Sequence, residues 1–254
     1  MPSFHNLFVI LAPSAPHTQR RHILMADHRL ELDGFSIVIV GSFNPAIFQP
    51  LWFSSNNLIR TEEASEARIQ IIHANAAIFA TEWFSLQVTN GSFVLETTDP
   101  SKSLPLRDLA LGTFKILEHT PISAFGMNRN SHFQGFSEER WHAFGHHFSP
   151  KESWNAIMKE PGLRVLAMLG KRDKCEGAIT VSIEPSAKLK TGIFISVNEH
   201  HDLAVPEKAN DPADRNRSFL NMLHNSWESF LGYSDEVPAH LFSETSKPAP
   251  KKRR

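Results

Sequence analysis

The sequence predicts an α+β fold, two antiparallel β-meander layers with helices packed on one face, on three observations. Residues 84–98, FSLQVTNGSFVLETT, alternate apolar and polar side chains on both sides of Asn90-Gly91, the dipeptide best suited to a two-residue hairpin turn. A helix-like segment follows at once. The same order, strands and then a helix, returns at Leu163–Val197 and Arg215–Leu231, an architectural hint of a divergent internal duplication. The expected organisation is a flexible extension over residues 1–24, an N-terminal α+β half over 25–135, a C-terminal α+β half over 136–243 and a disordered basic tail over 244–254.

Each element follows from local pattern. FSIVIVG (35–41) is a β-branched run bounded by glycines and reads as a buried strand. Asn44-Pro45 offers an N-cap and a first-turn proline for a short helix whose apolar face is Ala46, Ile47, Leu51 and Trp52. RTEEASE (60–66) is polar and reads as a loop, and Ile69–Ile72 and Ala77–Trp83 read as strands. Leu106, Leu109, Ala110, Phe114 and Leu117 recur at helical spacing between Leu104 and His119, with Pro121 just beyond. Ile122–Phe133 reads as a strand. Ser137-Glu138-Glu139 supplies a cap and an acidic first turn for a helix through His147. Leu163–Leu169, Ala178–Ile183 and Gly192–Val197 read as three further strands separated by turn-like segments. Phe219, Leu220, Leu223, Trp227, Phe230 and Leu231 then line one face of a last helix. Helices on one face of antiparallel meanders bury both periodicities together.

Composition narrows the function classes. A chain of 254 residues with 41% hydrophobic content can bury a sizeable core. Twenty-six basic against 27 acidic residues leave a formal net charge of -1, so no global field draws in nucleic acid or an acidic membrane. Cys175 is the sole cysteine, which excludes an intrachain disulfide and agrees with a cytoplasmic setting. LFVILA (7–12) looks faintly like a signal peptide, but no Lys or Arg precedes it and the apolar core is short. Met25 is an alternative natural start. No run approaches the roughly 18 to 20 apolar residues of a membrane span, so a soluble protein is expected.

Histidine is the first candidate for chemistry, with 14 in the chain. His142 and His146 stand i,i+4 on the predicted 137–147 helix, and His200 and His201 end a predicted strand. Together these four could offer nitrogen ligands to a metal in a hydrolase. Against this, no metalloprotease glutamate lies between them and the clusters are far apart in sequence. Cys175 lies among Lys171, Arg172, Lys174 and Glu176, where cations favour a thiolate, yet no partner base is marked. No nucleophile elbow or phosphate loop stands out, and no cofactor is implied. Lys251, Lys252, Arg253 and Arg254 form a cationic tail able to contact phosphate, the basis of an alternative as a nucleic-acid-binding accessory factor. Trp52, Trp141, Trp227 and Phe230 are the candidate interface anchors.

The stretches NPAIFQPLWF (44–53), LRDLALGTFKILEHTP (106–121), GMNRNSHF (126–133) and VNEHHDL (197–203) resemble a sporadically distributed family of uncharacterised bacterial proteins. The resemblance covers approximately Phe35 to Phe242 and implies a prokaryotic cytosolic context. It carries over no catalytic residue. Absent a reactive centre, and with a surplus of large apolar side chains, the expected function is non-enzymatic: binding to a protein partner or to itself, through sheet edges or the 219–231 helix.

Overall fold

A computed structural model describes residues 24–25, 28–173, 177–203 and 211–245. Its centre is a pair of long antiparallel strands. β1 (Leu24–Met25) is a short strand on the edge of β2 (His28–Gly41), and β2 pairs with β7 (Ile122–Gln134) from Arg29/Gln134 to Gly41/Ile122. Beyond β2 lie β6 (Ser92–Thr97), β5 (Ser85–Thr89), β4 (Ala76–Ala80) and β3 (Arg68–His73); beyond β7 lie β10 (Ile193–Asp202), β9 (Ala178–Pro185) and β8 (Leu166–Lys171). Every pairing is antiparallel.

The mixed α+β class holds, but the two meanders do not stack as separate layers. They meet edge to edge through β2 and β7 in one open sheet, ordered β3-β4-β5-β6-β2-β7-β10-β9-β8. On each side of that seam the chain runs long strand, helical segment, meander, helix. Among the described residues the first meander has four strands and the second three, and β8 has no outer neighbour corresponding to β3.

Among the described residues five α-helices accompany the sheet: α1 (Pro50–Ser55), α2 (Thr61–Ser65), α3 (Ser103–Ile116), α4 (Glu138–Phe148) and α5 (Pro212–Thr245). α2 replaces the loop expected over 60–66, because the Glu63 carboxylate accepts the Arg60 backbone N–H at 2.9 Å and closes a helical first turn. α4 starts where its cap predicts, with the Ser137 hydroxyl accepting the Arg140 N–H at 3.2 Å. α5 is 34 residues long and runs well past Leu231, through Pro238. Proline removes one helical hydrogen bond. The helix continues because Phe242, a turn further on, is gripped by Phe133, Phe136 and Phe144 with ring centroids 5.1, 5.7 and 5.6 Å away.

The core lies between the sheet and these helices. Period-2 alternation turns Phe35, Ile37 and Ile39 of β2 and Phe125 and Met127 of β7 towards α3 and α5, and all five are buried. Phe114 of α3 meets Phe93 and Phe219 at 5.0 and 5.5 Å, tying β6, α3 and α5 together through edge-to-face contacts. Trp227 and Phe230, expected as interface anchors, are fully buried here. They belong to the stripe Phe219, Leu223, Trp227 and Phe230 that seats α5 on the sheet, so neither can reach a partner without unfolding that helix. Trp52 is partly buried, its ring 6.0 Å from Phe48 and 5.0 Å from Phe53.

Candidate functional site

Two ionic networks pin α5 to the sheet. Arg129 of β7 donates to Asp33 Oδ1 and Oδ2 at 3.1 and 2.9 Å, to Ser234 Oγ at 3.3 Å and to Asp235. Its guanidinium also lies 5.1 Å from the Phe35 ring centroid. Burial works against its charge, yet the hydrogen bonds and charges of Asp33 and Asp235 outweigh that penalty and raise its pKa above the ordinary arginine value. In the other network, fully buried Glu199 takes Arg172 Nη2 at 2.8 Å on one oxygen and His201 Nε2 at 2.9 Å on the other. Arg172 also donates to the Ser229 carbonyl at 2.7 Å and crosses the Tyr233 ring at 5.1 Å. These groups occupy the interior contact of α5 with the sheet, and they act as structural clamps.

The four histidines do not converge. His200 and His201 are consecutive strand residues, so they face opposite sides of the sheet. His201 is buried, stacked on Phe125 at 4.7 Å and bound to Glu199, while His200 sits on the uncovered face beside Asp202 at 3.2 Å. His142 is exposed on α4, and His146 Nδ1 accepts the Lys151 N–H at 3.4 Å. Among the described residues, no group of three or more His, Cys, Asp or Glu comes together to hold a metal ion. Cys175 and the cationic residues Lys251, Lys252, Arg253 and Arg254 lie outside the described residues. No helix among the described residues is long and apolar enough to cross a membrane.

What the fold does leave open is the β8 border of the sheet. Met168 and Leu169 of β8 are exposed, and so are Trp154, Ile157, Met158 and Val165 in the segment that precedes it. Met168 and Leu169 retain 63% and 75% exposure, and because they are strand neighbours they lie on opposite faces of the sheet. The register assigns the faces. Leu166 and Met168 pair with Ile183 and Val181 on the helix side, and Ala167 and Leu169 pair with Ser182 and Thr180 on the other.

An apolar cleft of about 620 Å³ adjoins the start of this strand. Ile183, Ile193, Trp141, Phe144 and Leu163 line it, with Lys151, Glu160 and Glu184 among its polar lining residues. Trp141, the remaining interface candidate, is fixed there by its indole N–H, which donates to the Gly192 carbonyl at 3.0 Å. Ile183 is the register partner of Leu166, so cleft and edge form one continuous surface.

The two borders of the sheet differ. β3, RIQIIH, carries Arg68 and His73 and a register shift between Ile69 and Ile71, features that discourage strand addition. β8, LAMLGK, is regular against β9, contains no proline, and is uncharged up to Lys171. Comparison of the chain with protein-family models and with curated proteins returned no match.

Proposed function

We propose that this protein works by binding protein chains, its own included, along the β8 border of its sheet, without catalysing a reaction. One observation carries the reading: a regular edge strand, uncharged up to its last residue Lys171, whose large side chains Met168 and Leu169 are exposed on opposite faces. An edge strand presents unpaired backbone N–H and C=O groups, and adding a strand satisfies them while covering the apolar side chains. The adjoining cleft extends the apolar surface towards α4. We also read the two halves as an internal duplication in which the second has lost the counterpart of β3; the shared element order and the pairing of β2 with β7 support this. On that reading β8 is built as an inner strand, which accounts for its composition.

Amide hydrogen exchange at two protein concentrations tests the proposal. Protection of residues 166–171 should rise on going from low to high micromolar chain, while β3 amides stay unchanged. Equal exchange in β8 at both concentrations, with added lysate proteins also giving no protection, would remove the edge as the working surface.

A further inference from the structure

The turn between β9 and β10, residues 186–192, carries a device separate from the β8 border. We propose that this turn is a proton-released latch: protonation of His132 detaches it from the sheet and, through Gly192, frees Trp141 beside the cleft. The latch works whether or not β8 takes a partner.

His132 stands on the uncovered face of the sheet, between its register partners Leu32 of β2 and Phe194 of β10. Leu32 is 39% exposed on that face, whereas His132 is only 8% exposed. The turn makes the difference. Ser186 Oγ lies 2.8 Å from His132 Nδ1, and the Phe194 ring lies 4.7 Å from the imidazole on its other flank.

Proton counting fixes the direction of the bond. The Ser186 hydroxyl already accepts the backbone N–H groups of Lys188 and Leu189 at 3.1 and 3.0 Å, which occupies both of its lone pairs. Its own hydrogen is left to donate, and His132 Nδ1 must accept it. A neutral imidazole with its proton on Nε2 can do so, but an imidazolium carries an N–H at both nitrogens and cannot. Lys188 also opposes a second positive charge beside it. Glu184 of β9 stands on the same face one strand beyond Phe194, and Glu31 of β2 is paired with Arg29. Burial, and then Lys188, hold His132 at about 4 while the turn is closed, against 6.5 for a freed ring.

Gly192 links the turn to the cleft. Its carbonyl accepts the Ser186 N–H at 2.9 Å and the Trp141 indole N–H at 3.0 Å, so one oxygen holds both. Thr191, next to it, is kept at φ 50°, a costly conformation for a β-branched residue, while its hydroxyl donates to the Phe136 carbonyl at 3.2 Å. Losing the bond at Ser186 lets that strain relax.

Hydrogen exchange of the full chain followed by NMR, corrected for intrinsic rates, tests the latch. Between pH 7.5 and 5, protection of the Lys188 and Leu189 amides and of the Trp141 indole N–H should fall together by about 25-fold. At both pH values it should lie below the protection of Ile37 and Met127 in the core strands. A fall under threefold, or turn amides that exchange only as slowly as the core, overturns the latch. His132→Gln keeps an acceptor for Ser186 and removes the titrating group, so protection at the three sites should become independent of pH; the parent's fall in this variant would place the proton elsewhere and overturn the assignment. Ser186→Ala, a small change at a half-buried position, should lower Trp141 indole protection at least tenfold already at pH 7.5, and unchanged protection there overturns the link through Gly192.

Discussion

Replacing Arg129 by methionine keeps most of the side-chain volume and removes the cation that Asp33 depends on. The Asp33 side chain is 4% exposed, so the variant retains a carboxylate with no access to water and only the Ser131 hydroxyl, at 2.8 Å, still donating to it. Breaking a buried pair on one side costs about 3–5 kcal/mol. Asp235 adds little, because its side chain is half-exposed and water can take over from the guanidinium. A loss of about 3–4 kcal/mol is a large share of the roughly 5–15 kcal/mol that holds a domain folded. A second substitution, Asp33→Asn, removes the stranded charge while keeping an acceptor for Ser131, so the double variant should lie within about 1–2 kcal/mol of the parent. Urea unfolding followed by fluorescence reads all three proteins, provided their denaturant dependence stays equal. If Arg129→Met costs under about 1 kcal/mol, or if Asp33→Asn gives no recovery, then the network does not clamp α5 as described.

Other consequences follow from the same packing. Burial, and then the charge of Lys188, holds His132 down to about 4 from its ordinary 6.5, so the native state declines a proton that the unfolded chain accepts. Stability should therefore fall as pH drops from 6.5 towards 4, by about 2 kcal/mol at pH 5, and His132→Gln should flatten that slope in parallel urea titrations. Gly41→Ala should destabilise by roughly 1–3 kcal/mol, because the new Cβ would press on the Pro121 carbonyl and lie 2.9 Å from Phe43 Cζ, and a backbone atom cannot swing aside; a melting temperature equal to the parent would contradict it. Trp227→Ala should cost about 3–5 kcal/mol without changing the oligomeric state, as expected of a core residue and not an interface anchor.

Local pattern carried much of the fold. Asn90-Gly91 marks the β5–β6 hairpin because a two-residue turn is specified by its own backbone preferences, and the Ser137 cap sets the start of α4 for the same reason. Failures came where tertiary contacts decide. The last helix, read over 215–231, runs on to Thr245, and the aromatic contacts of Phe242 hold α5 beyond Pro238. Leu163–Leu169 reads as one strand, but Leu163 lines the cleft and the strand begins at Leu166. The two histidine pairs failed for a simpler reason: adjacent strand residues point apart, so His200 and His201 could never both face His142. Trp227 and Phe230 could have been excluded as anchors from the Phe219, Leu223, Trp227 stripe alone. The β8 edge was not legible, because an inner strand and an unpaired one share the same composition and only strand order separates them.

Sedimentation equilibrium of the full chain beside a Met168→Lys, Leu169→Lys double variant tests the border most directly, since both side chains are exposed and neither change disturbs the core. The parent should associate across the micromolar range and the lysine variant should sediment as a single chain of 28.7 kDa. A parent that stays monomeric throughout, or a double variant that associates as strongly as the parent, would contradict the account.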